Sequence, residues 1–343
     1  MNIVYLIGNG FDLSLGLPTA WSHFYDYYFE QPNPSPTIKS FKEAIGKNPK
    51  NWSDLEKALG RYTSNLHTRE ELIKLHEDLT FHLRAYLKGV EANYKCDDSL
   101  KDIISNSIIT PEQFLPFVDH QKIYGFKSKW SNRDWPVHII SYNYTSVFAK
   151  LVGYTGQSKS LGKSTNQNAV VSLERIMHIH GSTSRSMALG LNDISQFQNE
   201  QFHKDRQLIN KYVKEQLNIA ARTGHDAVCQ KWIKEANLIC VFGLSFGITD
   251  LRWWQYIGDR LTDENVRMIA FYYDENLKID DLILDPANLI EEEEKVKSLF
   301  LEQTSWAKTD NEQVRNKIFV SINSKMFKID NDKFKYNKNW WMT

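Results

Sequence analysis

The sequence has few cysteines, no excess of charge of either sign and no long apolar run. Three cysteines in 343 residues, with no Cys-x-x-Cys pair, exclude a disulfide framework and a cysteine-built zinc site. Lysine plus arginine equals aspartate plus glutamate, at 42 each, so the charge does not favour nucleic-acid or membrane partners. No run of 18 apolar residues or basic leader segment is found, so we expect a cytoplasmic protein without a membrane-spanning helix.

The chain does have enough apolar material for a large core, since hydrophobic residues make up 41% of it. Several short runs are apolar throughout, which is typical of strands buried on both faces of a parallel sheet. These runs are residues 3–7, 137–141, 176–179, 238–242 and 268–273. Because helical patterns lie between them, we predict an α/β fold with a Rossmann-like parallel sheet flanked by helices.

The stretch between the first two predicted strands is too long for one crossover. It carries helical patterns, so we predict a large helical insertion at about residues 22–130 that covers the carboxyl edge of the sheet. Its clearest helix is an apolar stripe over residues 72–87, preceded by Thr68 and Glu71 at the spacing of a capping box.

Two segments are predicted to be loops. Residues 30–40 contain three of the nine prolines, and residues 155–169 are rich in glycine, serine and asparagine. The chain after Ser324 is basic and contains Trp340 and Trp341, and we interpret it as a solvated tail or a docking strand.

Two glycine-containing turns directly follow predicted strands. Residues 8–12, Gly-Asn-Gly-Phe-Asp, follow the first strand, and residues 243–245, Gly-Leu-Ser, follow the fourth. Glycine lets a backbone turn tightly and approach a phosphate, whose charge is attracted by N–H groups at a helix start. Many α/β turns need glycine for geometry alone, so a nucleotide site and a structural turn are equal alternatives here.

Two polar clusters follow other predicted strands. Residues 141–145 place two tyrosines around Asn143, an arrangement that more often lines a pocket than a plain turn. His178 and His180 fall on the same face of a strand, so metal ligation has to be considered. No third ligand follows from the spacing, and the alternative is one core histidine and one pocket histidine.

Together, these clusters resemble the NAD site of sirtuins. The sirtuin loop GAG-x-S-x-x-x-GIP has its counterpart in residues 8–18, and the T-Q-N-x-D segment in residues 141–145. The sirtuin L-H-G and G-T-S segments correspond to residues 179–181 and 243–245, in the same order. The four-cysteine zinc module of sirtuins is absent, so the resemblance does not imply protein deacetylation.

The opening of the chain resembles the AbiH family of phage abortive-infection proteins more closely still. The family start GNGFDL-x-x-GLPT-x-[W/Y]-x-x-F fits residues 8–24, and its W-x-x-x-E segment fits residues 52–56. An N-Y-T turn, an H-I-H-G strand and a G-x-S-x-x-x-x-D turn ending at Asp250 follow. The resemblance spans residues 3 to about 275.

These resemblances imply a domain organisation and a biological role. We expect a sirtuin-like α/β domain over residues 1–275, interrupted by the insertion, and a C-terminal extension over residues 276–343 that packs on it. The implied role is that of an AbiH-type anti-phage effector, a homo-oligomer activated by a phage-derived trigger or an operon partner.

The implied activity is binding of NAD and its hydrolysis to nicotinamide and ADP-ribose. Asn143 would orient water or a ribose hydroxyl, and His180 would act as general base. Glu56 and Asp250 are candidate additional carboxylates, and no metal is expected. The residues implied to bind NAD are Gly8, Asn9, Gly10, Phe11, Asp12, Pro18, Tyr142, Tyr144, Gly243 and Ser245.

Two alternative functions remain open. One is a non-catalytic sensor of NAD or an ADP-ribose-type nucleotide, favoured by Thr145 and Asp12 in place of the sirtuin aspartate and serine. The other is a metal-dependent nuclease or hydrolase that uses Asp12, Glu56 and His180. Asp12 also argues against simple NAD binding, because an anion near the phosphates repels them unless a proton or cation intervenes.

Overall fold

The computed structural model describes residues 1–95, 100–164, 168–185, 187–220, 222, 224–278, 285–306 and 311–328. Within these ranges the chain forms one seven-stranded sheet with packed helices on both faces. The strands are β1 Ile3–Ile7, β2 Trp135–Ser141, β3 Lys159–Lys163, β4 Val170–His178, β5 Leu238–Phe242, β6 Arg267–Tyr272 and β7 Ile318–Ile322.

The strand order is β3-β4-β2-β1-β5-β6-β7, and only the β3–β4 pairing is antiparallel in the sheet described. The order reverses between β1 and β5, which makes this point a topological switch. Ile7 pairs with Ser141 on one side and Phe242 on the other, and Ser141 pairs with His178. The turns after four parallel strands therefore start at the same level, at one edge of the sheet.

Successive β1 side chains enter two different cores. Ile3, Tyr5 and Ile7 pack with the helices of the insertion, and Val4 and Leu6 pack with helices of the second half of the chain. All five residues of β1 are buried, which explains why its sequence is apolar without alternation.

Most helices before β2 belong to the insertion. They are α1 Gly10–Ser14, α2 Trp21–Phe29, α3 Pro36–Lys47, α4 Leu55–Tyr62, α5 Arg69–Asn93, α6 Leu100–Ile109 and α7 Phe117–Ser128. The helices after β2 are α8 Val147–Val152, α9 Arg206–Tyr212, α10 Lys214–Ala220, α11 His225–Glu235, α12 Leu251–Arg260, α13 Pro286–Leu301 and α14 Glu312–Arg315. Short 3-10 turns span Pro49–Trp52, Thr63–Asn65, Pro111–Phe114, Ile194–Gln196, Glu200–Lys204 and Ile248–Asp250.

Helix α5 confirms the helix predicted from the apolar stripe and its capping box. The Glu71 N–H donates to Thr68 Oγ1 at 3.2 Å, and Glu71 Oε2 accepts the Thr68 N–H at 3.0 Å. The stripe faces the core, where Leu75 and Leu79 are fully buried. No helix among the described residues is both long and apolar enough to cross a membrane.

The prediction of a loop over residues 30–40 was wrong for residues 36–40, because α3 begins at Pro36. Proline is accepted in the first turn of a helix, where its missing N–H has no intrahelical partner. Ser35 caps this helix by accepting the Ile38 N–H at 3.3 Å.

The prediction of a loop over residues 155–169 was wrong at β3. This strand pairs antiparallel with β4, and the register shifts between Ser160 and Gly162. Gly162 has φ +136°, a conformation that side-chain-bearing residues rarely adopt, so the glycine marks an irregular strand rather than a turn. Residues 165–167 of this segment lie outside the described ranges.

The sheet also has a strand that the sequence analysis did not find. The five residues of β7 are buried, and they pair in parallel with β6 from within the segment predicted as a C-terminal extension. The result is a mixed sheet rather than a wholly parallel one, with one antiparallel edge strand. The basic, tryptophan-containing tail begins after Ser324, and its residues beyond 328 lie outside the described ranges.

Candidate functional site

A cavity of about 260 Å³ lies at the carboxyl edge of the sheet, beside the switch point between β1 and β5. The turns after β1, β2, β4 and β5 supply its floor, and the helical insertion supplies the opposite wall. The lining residues are Asn9, Asp12, Thr19, Trp21, Phe24, Ser53, Asp54, Glu56, Leu83, Tyr86, Leu87, Tyr142, Asn143, Tyr144, Thr145, His180, Lys214, Gly243, Leu244, Ser245, Thr249 and Asp250.

The two glycine turns pack directly against each other. A Cβ on Gly8 would lie 2.4 Å from the Gly243 carbonyl oxygen, and one on Gly10 would lie 2.5 Å from the Gly243 Cα. The N–H groups of Gly8, Gly10 and Phe11 each donate at 2.9 Å, to the carbonyls of Phe242, Gly243 and Gly8 respectively. These glycines thus permit the close approach of two backbones, and the three amides have partners within the protein.

Asp12 lies at the bottom of the cavity with 1% of its surface exposed. Asn143 Nδ2 donates to one carboxylate oxygen at 3.1 Å, and Thr145 Oγ1 donates to the other at 2.6 Å. Burial raises the pKa of the Asp12 carboxyl from 3.8 to about 7; the two hydrogen bonds oppose this rise, and the charge of Glu91 adds to it. Asp12 therefore changes its charge near neutral pH.

His180 and Asp250 form a pair on the other side of the cavity. His180 Nε2 lies 3.5 Å from Asp250 Oδ1, and the Tyr142 ring meets the imidazole edge-on at 5.3 Å between centroids. Burial acts to raise the pKa of Asp250, but the charges of Lys214 and His180 outweigh it and hold that pKa below its usual value. An imidazole with a carboxylate at Nε2 is oriented to accept a proton at Nδ1.

Glu56 links the insertion to the second half of the chain. Its Oε2 lies 2.6 Å from Lys214 Nζ, and its Oε1 accepts from the Tyr144 hydroxyl at 3.3 Å and the Gly190 N–H at 3.4 Å. Burial acts to lower the pKa of Lys214, but the charges of Glu56 and Asp250 raise it above its usual value. Lys214 is thus held as a cation.

Several buried polar atoms in the lining have no hydrogen-bond partner. Among the described residues of the lining, these atoms are Thr19 Oγ1, Tyr142 Oη, Asn143 Oδ1 and His180 Nδ1. Asp250 Oδ1 also lacks a hydrogen bond, but it lies 3.5 Å from His180 Nε2. Buried polar atoms are nearly always hydrogen-bonded, so their concentration in one place indicates a ligand site.

Most of the residues singled out from the sequence meet in this cavity. Those in its lining are Asn9, Asp12, Glu56, Tyr142, Asn143, Tyr144, His180, Gly243, Ser245 and Asp250. His178 does not line it, but its Nδ1 lies 2.9 Å from the Asn143 carbonyl oxygen and so holds the backbone of that residue. The roles assigned to these residues stay predictions.

Four residues implied to bind NAD are not in the lining. Gly8 and Gly10 serve the packing of the two turns, as described above. Phe11, in the first turn of α1, is fully buried. The centroid of its ring lies 5.0 Å from that of Phe148 and 5.4 Å from that of Phe327. Pro18 is also buried, and its carbonyl accepts from the Tyr86 hydroxyl at 2.7 Å.

Sequence reasoning missed Lys214 altogether. No local motif marks it, because it reaches the cavity through tertiary structure: its N–H donates to the Leu191 carbonyl at 2.9 Å at the start of α10. Thr145 was noted only as a departure from the sirtuin pattern, although its hydroxyl contacts Asp12. Trp21 was noted only as part of the family start, and Tyr86 only as part of the apolar stripe of the insertion, although both line the cavity.

Over the part of the chain that the structure describes, no group of three or more His, Cys, Asp or Glu side chains could hold a metal ion. The nuclease alternative therefore gains no support from the positions of Asp12, Glu56 and His180.

The comparisons with known proteins point to one family. The family model described as Bacteriophage abortive infection AbiH matches residues 4–272. No match was found among curated proteins. The family match covers most of the chain and supports a role in abortive infection of phage-infected cells. The chain belongs to the AbiH family of bacteriophage abortive-infection proteins.

Proposed function

We propose that the cavity binds NAD and that the protein hydrolyses it to nicotinamide and ADP-ribose during abortive infection. The observation that carries this proposal is the set of four unpartnered buried polar atoms, on Thr19, Tyr142, Asn143 and His180, beside the switch point of the sheet. Open α/β sheets bind nucleotides at such points, and the parallel strands β4-β2-β1-β5-β6-β7 follow the order of dinucleotide-binding sheets. The sirtuin-like motifs support the same ligand.

The unpartnered atoms suit a ribose. Asn143 Oδ1 can accept from a ribose hydroxyl or from the attacking water, and the Tyr142 hydroxyl can donate to a ribose oxygen. Asn143 Nδ2 already donates a hydrogen bond to Asp12, so the amide is held in one orientation. This fixed orientation would position the sugar without a further ordering step.

Hydrolysis breaks the bond between ribose C1′ and the nicotinamide nitrogen, whose electron pair leaves with the neutral nicotinamide. Water forms a bond to C1′ and releases one proton. His180 Nδ1 would accept this proton, and Asp250 at Nε2 would stabilise the imidazolium that forms. Asp250 suits this task because its pKa is held low and it stays ionised.

The phosphates would lie near the turn of residues 243–245, at the rim of the cavity. Ser245 and Asn9 are exposed there, whereas Asp12 is buried. The pKa of Asp12 near 7 allows the carboxyl to be neutral in part of the population, which weakens its repulsion of a nearby anion.

The test is incubation of the purified protein with NAD, with nicotinamide release followed by chromatography. We expect release by the wild type and a loss of about 10²-fold or more in His180→Ala and Asn143→Ala. His203→Ala is the matched control, because His203 bonds the Phe197 carbonyl and is not in the lining.

Three results would count against the proposal. Undiminished release by folded His180→Ala and Asn143→Ala would remove the two residues from the mechanism. Thermal stabilisation by NAD without release would identify a sensor instead of an enzyme. Neither binding nor release by the wild type would eliminate NAD as the ligand.

A further inference from the structure

The charges in the cavity lining are predominantly negative. Its carboxyl side chains are Asp12, Asp54, Glu56 and Asp250. Lys214 is the only lysine or arginine among the described lining residues, and it is already paired with Glu56 at 2.6 Å. A fully ionised phosphate inside this cavity would therefore meet several carboxylates and no free cation.

Charges just outside the lining do not reverse this balance. Arg252 is neutralised by Asp226 at 2.6 Å and Glu215 at 2.8 Å. Glu91 lies close enough to Asp12 to raise its pKa, and its carboxylate accepts from the Thr183 hydroxyl at 2.6 Å rather than from a cation. The field of these neighbours thus adds negative potential to the cavity.

Two of the four lining carboxylates, on Asp12 and Glu56, are buried, at 1% and 9% exposed, beside other enclosed polar residues. Tyr142, Asn143 and His180 are 8%, 6% and 7% exposed, and each has an unpartnered polar atom. Asn9 and Ser245, at the rim, are exposed. A ligand would therefore meet the carboxylates with the end that enters deepest.

The lining also contains aromatic residues. Its aromatic residues are Trp21, Phe24, Tyr86, Tyr142 and Tyr144. Aromatic rings attract a planar cation through their negative faces and bury its apolar surface at the same time. Carboxylates and aromatic rings together are the chemistry that recognises a positively charged heterocycle.

Resting on the proposed function, we propose that the interior binds only the positively charged nicotinamide–ribose half of NAD, with the phosphates outside. A phosphate-free cationic nucleoside such as nicotinamide riboside is then a sufficient ligand and substrate, and its uncharged reduced form is rejected.

Cleavage of nicotinamide riboside follows the same steps as cleavage of NAD. The C1′–N bond breaks, its electron pair neutralises the pyridinium nitrogen, and water adds to C1′ to give ribose. The released proton passes to His180 and then to solvent. The reduced nucleoside has a neutral nitrogen, so its departure would leave an anion that the carboxylates disfavour.

The experiment compares ligands on one protein, so it does not depend on the folding of a variant. Calorimetric titration of the wild type with nicotinamide riboside and with its reduced form isolates the positive charge, because the two differ little in shape. We expect the cation to bind at least about tenfold more tightly, and ADP-ribose to bind more weakly than NAD. Nicotinamide release from the riboside is measured in parallel.

A variant pair locates the effect in the cavity. Asp250→Asn is expected to reduce the preference for the cation at least about threefold, because it removes one negative charge from the lining. Glu77→Gln is the matched control, since Glu77 is an exposed carboxylate paired with Lys211 outside the cavity. The readout is the ratio of the two dissociation constants, which a general loss of stability would not change.

The outcomes separate this inference from the hydrolysis of NAD. Preferential binding of the riboside without nicotinamide release from any ligand supports the inferred ligand, and it overturns cleavage of the riboside together with hydrolysis of NAD. Hydrolysis of NAD with no binding of the riboside, or with equal binding of its reduced form, overturns the inference and leaves the activity standing. No binding of NAD or the riboside overturns both.

Discussion

Two buried lysine–glutamate pairs with different surroundings are found in the part of the chain that the structure describes. Lys127 Nζ donates at 2.7 Å to both carboxylate oxygens of Glu112 and at 2.9 Å to the Ile109 carbonyl. The side chains of this pair are 1% and 5% exposed. Lys214 Nζ donates to one oxygen of Glu56 at 2.6 Å, and this pair, 8% and 11% exposed, lines the cavity.

The charges around the two pairs differ, and this difference distinguishes the structural pair from the pair in the candidate site. Burial lowers the pKa of Lys127, although the charge of Glu112 opposes it. Burial acts on Lys214 in the same direction, but Glu56 and Asp250 together raise its pKa. In the Lys127–Glu112 pair the lysine bonds both carboxylate oxygens, so the pair serves to hold helices together. The Lys214–Glu56 pair has a further carboxylate and unpartnered polar atoms beside it, which is the arrangement expected of a candidate ligand site.

The largest effect is expected from Lys127→Ala. Removal of the lysine leaves the Glu112 carboxylate buried without a counter-ion, at a cost of about 3–5 kcal/mol in the free energy of unfolding. Urea titration followed by circular dichroism measures this loss. The control is Lys122→Ala, whose lysine is exposed and paired with Asp119 at 2.8 Å, and which we expect to cost less than about 1 kcal/mol.

The double variant Lys127→Met, Glu112→Leu sharpens the first result. Apolar residues of similar volume remove the buried charge altogether, so we expect most of the lost stability to return. A double variant as unstable as Lys127→Ala would mean that packing, and not the unpaired charge, causes the loss.

The next effect concerns Asp12 and depends on pH. Because burial raises the pKa of its carboxyl from 3.8 to about 7, the folded protein binds this proton more tightly than the unfolded chain does. This stabilisation is full below about pH 4 and is lost as the pH rises to about 7. Asp12→Asn cannot titrate, so between these pH values the variant should gain up to about 4 kcal/mol relative to the wild type.

Urea titrations of both proteins at pH 4, 5.5, 7 and 8 measure this difference. The exposed Asp102 gives the matched control, Asp102→Asn, whose stability relative to the wild type should change little over the same range. A constant difference between wild type and Asp12→Asn would show that folding does not raise the pKa of the Asp12 carboxyl.

The sequence predicted five of the six parallel strands of the described sheet, all but β7, from their apolar runs, and the long helix from its stripe and capping box, since both patterns are local. It did not predict β3, whose glycine and serine take strand form only because β4 offers a partner. The motifs also predicted that Asp12, Asn143 and His180 lie at one edge of the sheet, because the turns that follow parallel strands share that edge. Lys214 could not be found in this way, because only the folded chain brings α10 to Glu56.

A smaller loss of stability is expected from Lys214→Met than from Lys127→Ala. Glu56 would keep the Tyr144 hydroxyl and the Gly190 N–H, and the cavity would admit water to its free oxygen. We expect a cost of about 1–3 kcal/mol in the free energy of unfolding, by urea titration. A loss as large as that of Lys127→Ala would mean that the two pairs do not differ.

Lys211→Met is the control for this variant, because Lys211 is partly exposed and pairs with Glu77 at 2.7 Å outside the cavity. It should change the unfolding free energy by less than about 1 kcal/mol. Lys214→Met should also raise the pKa of Asp250, whose low value depends on the charge of Lys214. A shift of the acidic limb of the pH–activity profile to higher pH would report this change.

The smallest effect is expected from Tyr144→Phe, which removes a hydroxyl proton shared between Glu56 Oε1 at 3.3 Å and the Ala188 carbonyl at 3.1 Å. The carboxylate retains Lys214 and can be hydrated from the cavity, so the expected cost is about 0.5–1 kcal/mol. Tyr25→Phe is the comparison, because the Tyr25 hydroxyl donates at 2.7 Å to the Trp52 carbonyl in a fully buried bond. Its loss leaves an acceptor without water and should cost about 1–3 kcal/mol. If Tyr144→Phe costs as much as Tyr25→Phe in urea titrations, water does not reach Glu56, and the Glu56–Lys214 pair is as closed as the pair of Lys127 and Glu112.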